Sequence, residues 1–218
     1  MDVLVISYTA PSIVNLWGIS PETLGVVFSS GLFGMAIGAL FLAPYADKVG
    51  RKKIILVSTI IISLGVFFTA LSKNIIHLTF LRFLSGIGIG TMLASTVSLV
   101  SEYTPERSKD FWISFILAGY PVGAILAGYL TNIILFEYSW HYVYIIFGSF
   151  SVFMIPIVYY FLSESVVFLI KSQPINAISR INRIYDKLKI ANINTLPTYE
   201  NKNNRIAINE LLNNKYMA

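Results

Sequence analysis

The sequence contains no cysteine and only two histidines. Disulfides, thiolate catalysis and Cys-ligated zinc or iron–sulfur sites are therefore excluded. His77 and His141 are far apart in the chain and in different loops, so a multi-histidine metal site is not expected, nor is any cofactor or other metal. Charge is also scarce. Asp, Glu, Lys and Arg make up 12% of the 218 residues, against roughly 25% in soluble domains. The enzyme signatures H-E-x-x-H, G-x-S-x-G and the P-loop are missing, and the apolar runs hold too few charged groups for an acid–base pair. The chain reads as a non-enzyme. In place of charge there is apolar surface: 56% of residues are hydrophobic and mean hydropathy is +0.70. A soluble domain of this size cannot bury so much, and a disordered chain would not carry it.

Six uncharged runs organise the chain: residues 3–21, 23–46, 54–72, 83–101, 111–136 and 138–163. A bilayer core takes about 20 helical residues, and a continuous apolar run suits a helix rather than an alternating barrel strand. Five runs make full spans, the fourth beginning near Leu78. The first is short: Asp2 precedes it, Pro11 and Asn15 interrupt it, and Trp17 followed by Gly18 and Pro21 ends it. Neither a basic leader nor a small-residue cleavage site marks it as a signal peptide. The expected architecture is an all-α membrane protein, with a six-helix bundle over residues 1–163, its first helix shortened, and a tail over residues 164–218.

The net charge is +5, and the pI near 9.3 alone would be compatible with nucleic acid. The placement of the charge favours a membrane surface instead. Lys48, Arg51, Lys52 and Lys53 fall in one loop, Arg107 and Lys109 in another, and eight more basic residues lie beyond Glu164. The alternate loops carry only Lys73. By the positive-inside rule the basic side is cytoplasmic. The predicted location is the cell (inner) membrane, multi-pass, with the tail in the cytoplasm. From Pro174 the tail places Ile175, Ile178, Ile181, Ile184 and Leu188 at helical spacing with Arg180, Arg183 and Lys187 between them, an amphipathic basic helix. Residues 192–204 read as a polar loop.

Three pairs of glycines, Gly34 and Gly38, Gly86 and Gly90, Gly119 and Gly123, have the spacing that lets membrane helices pack closely. The glycine run at 86–90 lies inside a span and lacks the strand and spacing of a dinucleotide loop. Arg82 is the one cation within an apolar region. It either snorkels to the outer interface or faces an internal cavity, where it would meet an anionic substrate or a proton-carrying carboxylate. Asp2 is the candidate carboxylate. It stands so far along the first helix from Trp17 that a direct pair with Arg82 is not expected.

The segment from Gly38 to Lys53 resembles the loop signature of the major facilitator superfamily, G-x-L-A-D-R-x-G-R-K. Asp47, Gly50, Arg51 and Lys52 match directly, Lys48 conservatively, and Ala43 stands in place of a glycine; Pro44 and Gly50 within it are expected to break helices. Arg82-Phe83-Leu84-Ser85-Gly86 resembles the fourth-span motif. Glu102-Tyr103-Thr104-Pro105-Glu106-Arg107 resembles E-Y-x-P-x-R. Glu164-Ser165 resembles P-E-S, with Ser163 in place of proline. Within the superfamily the chain resembles the aromatic acid:proton symporters, through Ala10-Pro11-Ser12-Ile13, Gly31 to Leu40 and Ala118-Gly119-Tyr120-Pro121-Val122-Gly123. Sugar and nicotinate carriers share much of this pattern.

The resemblance implies the N-terminal six-span half of a twelve-span transporter, clipped at both ends. The opening D-G-[FY]-D is reduced to Asp2, and residues 209–216 resemble the segment before the seventh span. It further implies alternating access between two halves. Asp2 and Arg82 would then serve substrate and proton coupling. Asp47, Gly50, Arg51 and Lys52 would form a conformational latch, and Glu102, Arg107 and Glu164 a cytoplasmic charge network. The implied partners are a small organic anion, a proton, the lipid bilayer and a second six-span half, with no nucleic acid. The competing expectation is a truncated, non-transporting membrane polypeptide or assembly partner.

Overall fold

A computed structural model describes residues 2–188 and 191–196, less the side chains of Asp2, Val3 and Pro21. Its described residues form helices and no strands. Uniformly apolar runs leave no other way to satisfy the backbone in lipid. The first, α1, covers Asp2–Trp17 and ends at Gly18, whose φ of +60° suits glycine. Next come α2, Pro21–Ile37, and α3, Ala46–Val49. They are followed by α4, Arg51–Thr69, α5, Ile75–Tyr103, α6, Lys109–Glu137, and α7, Trp140–Phe161. Two shorter helices complete the set, α8, Val166–Ser172, and α9, Ala177–Leu188. Ser20 caps α2 by accepting from Thr23 N at 3.4 Å, with Pro21 in the first turn. Asn74 caps α5 by accepting from His77 N at 2.8 Å, so the fourth span starts at Ile75 rather than Leu78.

Five segments are long and apolar enough to cross a bilayer, with Leu4–Trp17 as a shorter apolar helix. This matches five full spans and a short first one. The proline expectations need correction. Pro11 sits within α1 without ending it, as Pro121 and Pro156 do in α6 and α7. Membrane helices tolerate proline where neighbours take up the freed carbonyl. Pro44 does not stop the second span either. The chain continues from α2 through a π-helical turn, Gly38–Leu42, and a 3₁₀ turn, Ala43–Tyr45, into α3. Pro44 occupies an early position in its turn, where a missing N–H costs little. The break falls at Gly50, with φ +109° and ψ 137°.

Helix packing follows the glycines. A Cβ added to Gly34 would fall on the carbonyl oxygen of Phe83, and one on Gly38 on that of Ile87. In return, a Cβ on Gly86 would strike the Gly31 carbonyl, and one on Gly90 the Met35 carbonyl. The backbones of α2 and α5 therefore touch with no side chain between them. The same economy joins α4 to α5, where a Cβ on Gly65 would sit 2.9 Å from Ser85 Cβ, and α4 to α7, where one on Gly148 would be 2.7 Å from Phe67 Cα. Gly119 is different: nothing lies within 4 Å of its added Cβ. The expected Gly119–Gly123 packing pair fails at Gly119, while Gly123 is buried. Most of α6 is open, with only Gly123, Ala124, Ala127 and Thr131 buried among its 29 residues. An apolar core between α1, α6 and α7 includes Val5, Ile13, Ala127, Trp140 and Tyr144, and the Trp17 and Trp140 rings meet edge to face at 5.6 Å.

By compactness the chain divides into two units, Met1–Leu169 and Ile170–Ala218. In the second, α9 buries Ala177, Ile181 and Ile184 on one stripe. The sequence pattern predicted this face but set the start too early. Asn176 has φ +70° and the helix begins at Ala177, so Ile175 is left 93% exposed. Asn182 clamps the segment that follows: its Nδ2 donates to Ile193 O at 3.0 Å, and its Oδ1 accepts from Ile193 N at 2.9 Å. The resemblance at residues 209–216 lies outside the described residues.

Candidate functional site

At the end of the bundle marked by the basic loops, a turn forced by glycine organises a charged network. Gly50 adopts a conformation open in practice only to glycine, and a Cβ there would lie 2.6 Å from Glu164 Oε2. The turn aims the start of α4 at Glu164. That carboxylate is buried and accepts from the backbone N–H groups of Lys52 and Ser165, both at 3.0 Å. Ser165 Oγ donates to Glu102 Oε2 at 2.5 Å and accepts from Phe168 N at 3.0 Å. Arg51 Nη2 lies between Glu102 Oε1, at 2.9 Å, and Asp47 Oδ1, at 3.2 Å. Tyr103 OH donates to the Glu164 backbone carbonyl at 2.6 Å. One connected network thus ties the α3–α4 turn to the C-terminal end of α5 and to the segment that follows α7.

The arms are unequal. The Arg51 and Glu102 side chains are 12% and 13% exposed, so their pair is shielded from solvent. The Asp47 side chain is 61% exposed, and its arm is worth little by itself. Lys52 contributes its backbone N–H, while its ammonium lies over the Tyr159 ring, 5.4 Å from the centroid. Arg107 is the misplaced member of the expected network. It is exposed and forms no ion pair among the described residues, because it belongs to the short turn Glu106–Ser108 beyond the end of α5. Tyr103 and Ser165 lay inside the motifs, but their roles as cross-links were not legible.

Replacing Gly50 with alanine should lower stability by about 1–3 kcal/mol through backbone strain alone, and by more if Glu164 is displaced from Lys52 N. Thermal unfolding of the detergent-solubilised chain checks this. Gly25→Ala is the control, since nothing lies within 4 Å of an added Cβ there.

Deeper in the bundle Arg82 is 3% exposed, which rules out snorkelling to the interface. Its Nη2 donates to Thr69 Oγ1 at 3.0 Å, and the guanidinium lies over the Tyr144 ring at 5.2 Å. Tyr144 OH shares a 3.0 Å hydrogen bond with Thr9 Oγ1, linking the arginine to α1. Arg82 also lines a cavity of about 220 Å³ whose walls include Leu4, Ser7, Phe28, Gly31 and Ser85. The close approach of α2 and α5 brings Gly31 and Gly86 to this wall. The arrangement holds a buried cation among α4, α5 and α7, in a low-dielectric interior where its attraction for an anion is much stronger than in water. Asp2 opens α1, and its side chain lies outside the described residues. No sequence pattern pointed to Thr69 or Tyr144, which come from other helices.

A bundle of apolar helices with a buried cation inside and a charged network at one end defines a multi-pass membrane protein. The family model of the Major Facilitator Superfamily matches residues 1–214, and the chain belongs to that superfamily. It is 35% identical over 172 residues to a gallate transporter of Pseudomonas putida, covering 79% of this chain and 38% of the relative. It is 33% identical to a benzoate transport protein of Acinetobacter baylyi, with the same coverage. A niacin transporter of Acinetobacter baylyi is 29% identical, over 72% of this chain and 36% of the relative. Among solved structures, the proton:xylose symporter XylE bound to 6-bromo-6-deoxy-D-glucose matches with a TM-score of 0.73 at 17% identity, over 84% of this chain and 46% of that one. An inward-open XylE from E. coli matches with a TM-score of 0.69 at 19% identity. These structures establish the fold, that of the N-terminal half. The chain spans 38% of the length of the first curated relatives it matches. Those relatives are transporters, in keeping with the reading of the chain as a non-enzyme.

Proposed function

We propose that the chain supplies the N-terminal half of a proton-coupled secondary transporter of aromatic carboxylates. The observation that carries the reading is Arg82, a buried arginine that lines a small cavity, in a chain whose relatives are named for gallate, benzoate and niacin. An aromatic carboxylate offers an anionic end to the guanidinium and a flat apolar body to the cavity walls. Residues 1–163 form the membrane module, and residues 164–218 the cytoplasmic segment leading to a second half. Asp2 and Arg82 serve substrate and proton coupling. Asp47, Gly50, Arg51 and Lys52, with Glu102 and Glu164, hold the inner end closed in one state and release it in the other. The open faces of α2 and α6 suit a second six-span half, against which this one rocks.

Reconstitution into liposomes with an inward proton gradient tests the reading. The chain joined to a second six-span half should accumulate labelled 4-hydroxybenzoate, benzoate, gallate or nicotinate, and a protonophore should abolish accumulation. The 218 residues alone should not accumulate any of them, since alternating access needs two halves. Uptake by the short chain would point to a working dimer; no uptake of any of the four by the joined protein would sink the substrate assignment.

The inner-membrane location with a cytoplasmic tail carries its own expectation. In intact cells, cysteines at Lys53→Cys and Lys171→Cys should resist an impermeant thiol reagent, while Lys73→Cys should label. The absence of native cysteine makes the assay free of background. Labelling in the reverse pattern would invert the topology.

A further inference from the structure

Arg82 meets its two partners across helices that glycine contacts lock together. Gly65 lies one turn before Thr69 on α4, and an added Cβ there would be 2.9 Å from the Cβ of Ser85, one turn past Arg82 on α5. Gly148 lies one turn past Tyr144 on α7, and an added Cβ there would be 2.7 Å from the Cα of Phe67, just ahead of Thr69. Backbones this close leave α4, α5 and α7 little room to turn against one another. Thr69 and Tyr144 are therefore a fixed cradle. Thr69 Oγ1 donates to Gly65 O at 2.7 Å and accepts from Arg82 Nη2 at 3.0 Å. That bond sets the direction of one edge of the guanidinium, and the Tyr144 ring, its centroid 5.2 Å from Arg82 Cζ, sets the tilt of the plane. One bond in the plane and one contact on the face orient a planar group fully.

The far end of Tyr144 reaches a different helix. Its hydroxyl is 3.0 Å from Thr9 Oγ1 of α1. Thr9 has one hydrogen to give, and Val5 O at 3.1 Å and Ile6 O at 3.3 Å lie within its reach. With that hydrogen on the α1 backbone, Tyr144 O–H donates and Thr9 accepts. A single buried side chain thus touches the cation with its ring and α1 with its hydroxyl.

We propose that Tyr144 is a positioning residue with two separable roles. Its ring face holds Arg82 in the orientation that receives a carboxylate, and its hydroxyl ties α1 to that arginine. Loss of the ring weakens binding of the anion. Loss of the hydroxyl leaves the cradle intact and uncouples α1, which shows in turnover. The proposal rests on the reading that Arg82 meets the substrate, and it deepens that reading. Core packing alone would make no distinction between the two ends of the side chain.

Two arms test it. The first uses the 218-residue chain in detergent and needs no substrate. Protons above a ring face are shielded, so the guanidinium protons of Arg82, assigned by their loss in Arg82→Lys, should resonate upfield of those of the exposed Arg107. Tyr144→Phe should keep that shift and Tyr144→Leu should lose it. The original chain and the phenylalanine variant decide this arm even where the leucine variant does not fold. The second arm measures initial uptake of an aromatic acid by the complete transporter. Tyr144→Leu should raise KM about twofold to thirtyfold. Tyr144→Phe should keep KM within about twofold and lower Vmax about twofold to tenfold, and Thr9→Val should match it. The two substitutions together should lower Vmax no further than either alone, since both remove the same bond. Thr131→Val is the control for a lost buried hydroxyl: Thr131 Oγ1 meets no hydrogen-bond partner among the described residues, and uptake should be unchanged. Absence of the upfield shift, or a KM that rises as far in the phenylalanine variant as in the leucine variant, overturns the role of the ring. Additive losses of Vmax in the double variant overturn the role of the hydroxyl. An unmodified transporter that takes up no aromatic acid sinks the proposed function, and the resonance arm alone then decides whether Tyr144 positions Arg82.

Discussion

Gly90→Leu should prevent the membrane module from reaching its folded state. A Cβ at Gly90 falls on the Met35 carbonyl oxygen, so the atom that must yield is helix main chain and not a flexible side-chain end. Overpacking a core usually costs about 1–3 kcal/mol, because neighbouring side chains shift. Here α2 and α5 would have to separate along their whole contact, where Gly34, Gly38 and Gly86 also lie against opposing carbonyls. The expected loss exceeds ~3 kcal/mol, read as collapse of the thermal midpoint in detergent or as failure to purify a monodisperse chain. Gly119→Leu makes the comparison, with an expected change within about 0.5 kcal/mol in the chain alone, because that position meets nothing. Equal damage at both sites would show that helix propensity and insertion matter more than the α2–α5 contact.

Arg82→Leu in the complete transporter should reduce uptake of an aromatic acid by tenfold to roughly a hundredfold while leaving the protein in the membrane. A hydrogen bond to a charged group is worth about 1.5–3 kcal/mol, and each 1.4 kcal/mol is a factor of ten. Arg82→Lys should recover part of this and no more. Arginine donates from a planar fork and stacks on the Tyr144 ring while bonding Thr69; a lysine ammonium is a compact point charge that cannot do all three with the same geometry. Comparing initial uptake rates of the two variants with that of the unmodified protein, at equal protein in the membrane, separates the charge from its geometry. Unimpaired uptake by the leucine variant would remove Arg82 from the site.

The spans were legible because lipid imposes a length and an absence of charge, and both are one-dimensional properties of a sequence. The charged network was legible through residues with special chemistry: a glycine where the turn requires one, and carboxylates beside arginine. What the sequence concealed depends on which way a helix faces. Thr69 and Tyr144 meet Arg82, and Tyr144 meets Thr9, across four helices, yet runs such as α5 and α6 are apolar all round and carry no stripe that orients them. The same blindness paired Gly119 with Gly123, although one is open and the other buried. Pro11 and Pro44 misled for another reason. They end helices in water, where a freed carbonyl has solvent to bond, but not within a packed bundle. Arg107 followed from its motif position, and its place in a short turn past the helix end left it in solvent.

The glycine contacts between α2 and α5 also affect how this family's sequences can be interpreted. At each contact one partner is a side chain that must be hydrogen and the other is a main-chain oxygen present in every amino acid. No substitution at Met35 or Ile87 removes the oxygen, so no second change compensates for a first at Gly90 or Gly38. Such positions will be fixed without covarying with their partners. The tightest contact in the module will therefore leave no trace in analyses that infer proximity from correlated substitutions, which would instead favour looser pairs such as Phe33 and Phe83, whose stacked rings can change together.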